Sequence, residues 1–248
     1  RGMKVLLVLP AYNEEETIVR TVKQIQDQKF PPGLEVDYVV INDGSFDRTE
    51  ALCQENSIPC ISLVQNLGIG GAVQSGYLYA SLMGFDAAVQ FDGDGQHDIR
   101  SLPALLAPIA RGEADFTIGS RFVEKGASGF QSTFMRRLGI SYLSFIIRLL
   151  TGEQVADVTS GYRAAGRKAL EYLAQDYPVD YPEPESLVML HKQSFRMREV
   201  PVNMFQREGG QSSIHSLKSA YYMIKVTIAV LCAAMRKGGK IHGAASAD

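Results

Sequence analysis

The feature that most constrains the fold is an alternation, through the first half of the chain, of short apolar runs and helical patterns. Runs rich in β-branched and aliphatic residues predict strands at 4–9, 37–41, 61–64, 87–91 and 116–118. Apolar residues at helical spacing predict helices at 14–28, 49–56, 70–82 and 102–110. Because apolar strands that are each followed by a helix pair in parallel, the chain is predicted to be an α/β protein. We expect a Rossmann-like, mostly parallel central sheet with helices on both faces.

Two long apolar helices are predicted later in the chain, at 135–150 and 217–235. The second carries one stripe of large apolar side chains and several cations: Leu217, Tyr221, Ile224, Ile228 and Leu231, with Lys218, Lys225, Arg236 and Lys237. Its uninterrupted apolar run, 226–235, is shorter than the roughly 20 residues of a spanning helix. The pattern is typical of a helix in a membrane interface, of a core helix packed on the sheet, or of a dimer interface.

Length and charge narrow the classes of protein. A chain of 248 residues suits one large domain, and we assign 3–215 to the main α/β domain and 216–238 to a C-terminal amphipathic helix. The net charge of −2 argues against a general nucleic-acid-binding surface. Three cysteines without metal-type spacing predict reduced thiols, and with no signal peptide recognised we expect a cytoplasmic protein. Arg1 and Gly2, ahead of Met3, are interpreted as the remnant of a tag.

A hard-metal site is predicted where the fourth strand ends. The segment 89–98 places Asp92, Asp94, Gln96 and His97 in a glycine-containing loop. Mg²⁺ and Mn²⁺ take oxygen ligands and leave places for water and substrate phosphates, which one or two carboxylates can support. An Asp-x-Asp pair alone is weak evidence, and its place after an apolar strand is what favours a metal site over a solvated turn. His97 is expected to support the site rather than to react.

Two further strand ends carry polar or glycine-rich segments. Asp43, in Asn42-Asp43-Gly44-Ser45, can accept hydrogen bonds from a base or ribose, and Ser45 can cap the helix that follows. The same segment could instead be only a capping loop. In the segment 66–72, glycines such as Gly70 would let the backbone approach a ligand closely. The spacing is not a dinucleotide fingerprint and no Walker lysine follows, so NAD- and ATP-binding folds are disfavoured.

Several motifs, in this order, resemble those of the family 2 glycosyltransferases of GT-A fold: Pro10-Ala11-Tyr12-Asn13-Glu14-Glu15, Asn42-Asp43-Gly44-Ser45, the run 66–76, Asp92-Gly93-Asp94 with Gln96-His97, and Gly119-Ser120-Arg121-Phe122. Two later segments are similar to motifs of the branch that contains dolichyl-phosphate mannose synthase and bacterial polyprenyl-phosphate hexosyltransferases: Asp157-Val158-Thr159-Ser160-Gly161-Tyr162-Arg163 and Arg207-Glu208-Gly209-Gly210-Gln211-Ser212-Ser213. The resemblance covers most of the chain and is more specific for the reaction type than for the substrate.

The resemblance implies a site and a reaction. The donor, a UDP- or GDP-hexose, would be bound by residues from several motifs: Pro10, Tyr12, Glu14, Asp43, Gly70, Asp92 and Arg207. The metal, Mg²⁺ or Mn²⁺, would be held by Asp92, Asp94 and Gln96, with Asp94 also counted as catalytic. The family inverts the anomeric centre in a single displacement, so no covalent intermediate is needed. A bound cation would neutralise the diphosphate that leaves.

Two acceptors remain open. A polyprenyl phosphate is already ionised and needs no base. Its phosphate would be held by Arg121, Arg136 or Arg137, and Ser212. This reading places the enzyme in the cytoplasm, peripherally on the inner face of the cell membrane, and allows a homo-oligomer. A sugar hydroxyl would need a carboxylate as base, for which Glu183 and Glu185 are the candidates. Their proline-bounded segment departs from the mannose synthase pattern, and it could equally be a rigid surface turn.

Two other classes of protein agree less well with the sequence than a glycosyltransferase does. A sugar nucleotidyltransferase should carry a glycine-rich basic loop after the first strand, where this chain has Ala11-Tyr12-Asn13-Glu14. A catalytically inactive nucleotide-binding module is disfavoured because Asp92 and Asp94 are intact.

Overall fold

The computed structural model describes residues 2–121, 134–205 and 216–236, and of residues 134–136 and 216–220 it describes the backbone alone. Within those ranges the strands are β1 Met3–Ala11, β2 Leu34–Asn42, β3 Cys60–Ser62, β4 Ala87–Gln90, β5 Phe116–Ser120, β6 Arg163–Gly166 and β7 Met197–Pro201. The helices are α1 Ile18–Asp27, α2 Thr49–Glu55, α3 Gly68–Leu82, α4 Leu102–Ala110, α5 Phe134–Thr151, α6 Arg167–Gln175, α7 Pro182–Lys192 and α8 Ser216–Met235.

In the described ranges all seven strands join one sheet, in the order β3-β2-β1-β4-β6-β5-β7. The pairs β1–β2, β1–β4, β2–β3 and β5–β7 are parallel, whereas β6 runs antiparallel to both β4 and β5. The predicted mostly parallel sheet is confirmed. Parallel neighbours bring the carboxyl ends of β1, β2 and β4 to one edge, where ligands bind in open α/β sheets.

Strand β1 shows why helices cover both faces. Successive side chains of a strand point to opposite sides of the sheet. Leu6 and Val8 belong to the core under α3, α5, α6, α7 and α8. Leu7 and Leu9 belong to the core under α1, α2 and α4. Each of these four side chains is at most 1% exposed, so the strand is apolar throughout, as the sequence predicts.

The two halves of the chain differ in how well the sequence predicts them. Each of the five predicted strands and six predicted helices is present, with its ends shifted by a few residues. Strands β6 and β7 and helices α6 and α7 were not predicted. The capping role predicted for Ser45 is wrong, because Asp47 Oδ1 accepts the Thr49 N–H at the start of α2 (2.9 Å).

The part of the predicted α8 stripe that the structure describes does not pack on the core, and the side chains of Leu217 and Lys218 and the whole of Lys237 lie outside the described residues. Tyr221, Ile224 and Ile228 are exposed, and the helix instead buries Val226 and Val230. None of the helices in the described ranges combines the length and the apolar character needed to cross a membrane. The three cysteines are free thiols.

Candidate active site

The loop after β4 is held in place by three hydrogen bonds, two of them to other segments of the chain. The Thr21 hydroxyl of α1 donates to the Gly93 carbonyl (3.1 Å). The Asp94 carboxylate accepts the Gln96 N–H (3.0 Å), and the Gln96 carbonyl accepts the N–H of Phe205, which follows β7 (2.8 Å). Asp94 stays partly exposed in this frame. The loop therefore presents its acidic side chains to solvent on a fixed backbone.

His97 supports Asp92 from behind. Its Nδ1 accepts the Asp92 backbone N–H (3.1 Å), and its Nε2 lies 3.5 Å from Asp92 Oδ2. Because Nδ1 accepts a hydrogen bond, a neutral ring carries its proton on Nε2, the nitrogen that faces the carboxylate. The ring stacks on Tyr162 with centroids 4.6 Å apart and is buried. His97 thus has the supporting position expected from the sequence.

Gln90, which the sequence analysis did not single out, binds the Asp92 carboxylate. Its Nε2 donates to Asp92 Oδ1 (3.1 Å), and its side chain also acts to lower the pKa of the Glu183 carboxyl. Gly161 leaves room for this arrangement. A β-carbon at Gly161 would lie 2.9 Å from Asp92 Oδ2 and 3.0 Å from Gln90 Nε2. A polar residue at the end of an otherwise apolar strand was the signal available in the sequence.

Glu183 and Glu185 have different surroundings. Both belong to the first turn of α7 rather than to a surface turn. Burial raises the pKa of the Glu183 carboxyl, and the nearby Asp92 acts in the same direction, while Arg163 and Gln90 oppose it. The Glu185 carboxylate instead accepts the N–H of Tyr181, the N-cap residue (3.2 Å). The structure therefore brings Glu183, and not Glu185, to the Asp92 side of the sheet.

The buried guanidinium of Arg163 fixes the start of α7. Arg163 is 0% exposed, and its three side-chain nitrogens together donate to oxygens of two segments. The acceptors are the carbonyls of Ser160 (2.6 Å), Val158 (2.9 Å) and Glu183 (2.6 Å), and the Ser186 hydroxyl (2.9 Å). One side chain thus ties the loop before β6 to the first turn of α7. Sequence reasoning missed this role, because the acceptors are mostly backbone carbonyls.

Asp43 lies at the N-terminus of α3. Its Oδ1 accepts the Leu67 N–H (2.7 Å), and its carbonyl accepts the Asn66 side-chain amide (3.1 Å). Burial raises the pKa of the Asp43 carboxyl, while the N–H groups of Leu67 and Gly68 lower it. The carboxylate thus organises the turn into α3 at the edge of the sheet predicted to hold the nucleoside.

The loops that follow β1 and β2 bind each other. The Asn13 N–H donates to Ser45 Oγ (3.0 Å), and Asn13 Oδ1 accepts the Phe46 N–H (2.9 Å). Tyr12 meets Phe46 edge to face, with ring centroids 6.3 Å apart, and both rings are exposed. This rim offers aromatic surface beside Asp43.

Glu14 and Pro10 complete the edge near β1. Glu14 Oε2 accepts the Thr17 hydroxyl (2.9 Å), and the Glu14 N–H donates to Thr49 Oγ1 (2.9 Å). Pro10 is buried within β1, and its carbonyl lies 3.4 Å from where a β-carbon of Gly93 would stand. Pro10 therefore lies against the predicted metal loop, and Glu14 lies where α1 and α2 begin.

Gly70 has a different reason to be glycine than the one predicted. It lies inside α3, and a β-carbon there would stand 2.2 Å from the Pro178 carbonyl oxygen and 2.5 Å from that of Val179. The close approach that we expected from a ligand is made by the protein's own backbone.

The residues predicted to bind the acceptor phosphate differ in their surroundings. Arg121 is buried and forms an ion pair with Asp157, Nε to Oδ2 2.7 Å, instead of presenting its guanidinium to solvent. Arg137 is exposed near the start of α5. The side chain of Arg136, and the whole of Arg207 and Ser212, lie outside the described residues.

The residues of the β4 loop suit a hard divalent cation. Asp92 and Asp94 are partly exposed and, with the Gln96 side chain, offer oxygen atoms. Within the described ranges no group of three or more His, Cys, Asp or Glu residues is arranged to hold a metal ion. Mg²⁺ is commonly bound by one or two carboxylates together with substrate phosphates and water. These oxygen ligands therefore suit a cation that a diphosphate also binds, and they suit less well a structural metal site in which the protein supplies every ligand.

Residues 6–173 match the family described as Glycosyl transferase family 2. The chain belongs to this family. It is therefore a glycosyltransferase, as the sequence resemblance implied, and the acidic loop after β4 lies inside the matched region.

Similar proteins with assigned activities span nearly the whole chain. The UDP-N-acetylglucosamine–dolichyl-phosphate N-acetylglucosaminyltransferase of Methanococcus voltae is 30% identical over 224 residues, which are 82% of this chain and 86% of that protein. The polyprenol monophosphomannose synthase of Mycolicibacterium smegmatis is 30% identical over 233 residues, 90% of this chain and 85% of that protein. Both names contain a phosphorylated dolichol or polyprenol.

Solved structures show the same fold. Glucosyl-3-phosphoglycerate synthase from Mycobacterium tuberculosis, in complex with Mn²⁺, UDP-glucose and phosphoglyceric acid, has a TM-score of 0.69 and 22% identity. The match covers 94% of this chain and 80% of that chain. The likeness confirms the GT-A fold.

Proposed function

We propose that this glycosyltransferase moves a hexose from a UDP- or GDP-sugar to a polyprenyl phosphate at a membrane surface, with inversion and with Mg²⁺ or Mn²⁺. The similar dolichyl-phosphate and polyprenol enzymes support this acceptor class. The observation that carries the proposal for this chain is an exposed apolar surface that adjoins the candidate active site.

This surface, the α5–α8 face, consists of exposed aliphatic and aromatic side chains on two helices that pack together. Its members are Leu138, Tyr142, Phe145, Leu149, Tyr221, Ile224, Ile228, Leu231 and Met235. Exposed cations, among them Arg148 and Lys225, share these helices, and the Lys225 ammonium lies 4.6 Å from the Tyr221 ring centre. Apolar side chains with interspersed cations are typical of helices that lie in an anionic membrane interface.

Tyr222 connects the α5–α8 face to the site. Its ring meets that of Tyr181, the N-cap residue of α7, edge to face with centroids 5.4 Å apart. Burial raises the pKa of the Tyr222 hydroxyl to about 12, and the nearby Glu183 acts in the same direction. A lipid chain lying along the face would therefore bring its head group toward the end of α7 that carries Glu183.

The proposed roles follow from these positions. Asp92, Asp94 and Gln96 would hold the cation, which neutralises the leaving diphosphate. The loop around Asp43 and Tyr12 would bind the nucleoside. An acceptor phosphate is ionised near neutral pH, so it attacks without a base, and exposed Arg137 is available to bind it. Arg207 and Ser212 remain proposals that rest on the sequence resemblance.

The experiment offers UDP- and GDP-hexoses with Mn²⁺ or Mg²⁺ and undecaprenyl phosphate in vesicles, and measures nucleoside diphosphate release and the anomeric configuration of the product. Lipid-dependent release that disappears in Asp94→Asn and gives the inverted anomer is expected. Thr117→Val, which removes the buried hydrogen bond to Leu105 (2.8 Å) away from the loop, is the matched control that should keep activity. Release that is independent of the lipid phosphate would contradict the proposed acceptor.

A second candidate, transfer to a sugar hydroxyl, is favoured by the position of Glu183 beside Asp92 and Gln90. A carboxylate with a raised pKa at this place is suited to accept the proton of an attacking hydroxyl. Release that requires a soluble sugar acceptor and is lost in Glu183→Gln would establish this function instead. Glu185 is not offered as the base, because its carboxylate caps α7.

A further inference from the structure

We propose that Gln90 is a positioning residue that joins the two sides of the reaction, holding Asp92 on the donor side and Glu183 on the acceptor side. The inference rests on the proposed function, since Asp92 faces a donor and Glu183 faces an acceptor only if the protein transfers a sugar. It assigns a role to a residue outside the recognised motifs.

Gln90 occupies the middle of the sheet. It is the last residue of β4, where it pairs with Val8 of β1 on one side and Arg163 of β6 on the other. The preceding residues of the strand, Ala87 to Val89, are buried and apolar, and Gln90 itself is 1% exposed. Burying a side-chain amide is unfavourable unless its polar atoms are hydrogen-bonded. Packing alone therefore does not explain a glutamine at this position.

The amide group has two hydrogens and two carboxyl neighbours. Nε2 donates to Asp92 Oδ1 (3.1 Å), and the same side chain acts to lower the pKa of the Glu183 carboxyl. Gln90 Oε1 has no hydrogen-bond partner among the described residues. The opposite amide orientation would turn this oxygen toward carboxylate oxygens, so the observed orientation is the one that the two acids select.

Fixed groups surround the two acids. Asp92 is faced by His97 as well as by Gln90. Glu183 is held through its carbonyl by Arg163, and the Arg163 charge also acts on its carboxyl. Gly161 packs directly against both side chains, because a β-carbon at this position would overlap Asp92 and Gln90. The Gln90 amide thus donates to Asp92 and opposes the effect of that carboxylate on the pKa of Glu183.

The test compares wild type, Gln90→Met and Thr117→Val. Methionine keeps the length of the side chain and removes the amide, whereas Thr117→Val removes a different buried hydrogen bond of the same sheet. The first measurement is the Mn²⁺ concentration needed for half-maximal binding of UDP or GDP, by calorimetry. Losing a hydrogen bond to a charged group should raise this concentration about tenfold in Gln90→Met. Thr117→Val should not change it.

The second measurement is catalytic. In Gln90→Met we expect kcat to fall about tenfold or more, while KM for the acceptor changes little, because the amide orients groups rather than binding substrate. A merely structural role would lower the melting temperature of both variants and leave the Mn²⁺ requirement and kcat of the folded protein unchanged. That result would overturn the inference.

The third measurement tests the link to Glu183 without activity. Urea unfolding of Gln90→Met, Glu183→Gln and the double variant forms a double-mutant cycle, and a non-additive result is expected if the amide joins the two side chains. Additive effects would contradict the link. A wild type that binds nucleotide with Mn²⁺ but transfers no sugar would refute the proposed function, while the Mn²⁺ and unfolding measurements would still decide the role of Gln90.

Discussion

Arg121 and Asp157 form a buried, two-point ion pair in which Nε and Nη2 donate to Oδ2 (2.7 Å) and Oδ1 (2.8 Å). Their side chains are 4% and 0% exposed. Removing one partner leaves an uncompensated buried charge, so Asp157→Asn should reduce the free energy of unfolding by about 3–5 kcal/mol. For a chain of this size the melting temperature should fall by roughly 10 °C. Urea and thermal unfolding provide the measurement.

The control for this prediction is a surface pair of similar composition. Arg167 and Glu171 are about half exposed and lie one helical turn apart, with Nε 2.6 Å from Oε1. Exposed pairs of this kind contribute about 0.3–0.5 kcal/mol, so Glu171→Gln should barely change stability. If Asp157→Asn were as stable as wild type and lost only lipid phosphate binding, Arg121 would be a ligand of the acceptor, as the sequence resemblance implies, and the structural role would be wrong.

A second prediction concerns Glu183 and pH. Burial raises the pKa of this carboxyl in the folded protein above its unfolded value of about 4.3, so the folded state holds the proton more tightly. The stability associated with the protonated acid is fully present below the unfolded pKa and is lost as pH rises through the folded pKa. Glu183→Gln should therefore melt at a higher temperature than wild type near pH 7.

The difference in melting temperature between Glu183→Gln and wild type should shrink as pH falls toward 4. Thermal unfolding in buffers between pH 4 and pH 8 measures it. A difference that does not depend on pH would mean that glutamine acts through packing rather than through the lost charge. Glu171→Gln, at an exposed position, serves as the control for the general effect of removing a carboxylate.

A third prediction separates Glu185 from its neighbour. Its carboxylate accepts the Tyr181 N–H at the start of α7, so Glu185→Ala should destabilise the protein by about 1 kcal/mol, within the range for lost helix caps. Glu185→Gln retains an acceptor oxygen and should restore most of this loss. Sugar transfer by folded Glu185→Ala should stay near the wild-type rate. A large fall in kcat with unchanged stability would instead make Glu185 a catalytic group.

The two acids also show what sequence patterns predict and what they leave open. Residues 183 and 185 looked equivalent because only two positions separate them. On a helix two positions correspond to a rotation of about 200°, so their side chains point in nearly opposite directions. Since the prolines at 182 and 184 are compatible with the first turn of a helix, they marked the start of α7 rather than a turn. Only the recognition of that helix could have separated the two roles.

Burial also explains which other strands and helices the sequence predicts and which it does not. Strands β1 and β4 were predicted because both their faces are covered, which leaves continuous apolar runs in the sequence. Strand β6 begins with Arg163, whose burial depends on carbonyl groups from residues 158, 160 and 183 that only the folded chain brings together. On α8 the stripe of large apolar side chains left a core position and a membrane or dimer interface open, and the structure packs Val226 and Val230 on the core instead of that stripe.

A fourth prediction tests the packing of Gly70. Because a β-carbon there would overlap the backbone oxygens of Pro178 and Val179, Gly70→Ala should displace the segment that leads to α7. Overpacking of this kind destabilises by about 1–3 kcal/mol or more. Gly139→Ala, in α5, is the matched control, since its nearest neighbour is the flexible Met223 side chain at 3.4 Å. Thermal unfolding that shows equal stability for the two variants would contradict the close contact.

The last prediction tests the α5–α8 face as a membrane surface. Phe145 and Ile228 are 63% and 55% exposed, and inserting such a side chain into an apolar phase contributes about 1.5–3 kcal/mol. Phe145→Ser with Ile228→Ser should therefore weaken binding to anionic phospholipid vesicles by about 100-fold or more in co-sedimentation. Transfer to a short-chain, water-soluble isoprenyl phosphate should be retained, because neither residue belongs to the candidate active site. Leu82→Ser, at a 77% exposed position on α3, should leave vesicle binding unchanged. If the double variant binds vesicles normally but changes from dimer to monomer in light scattering, the face is instead an interface between two copies of the chain.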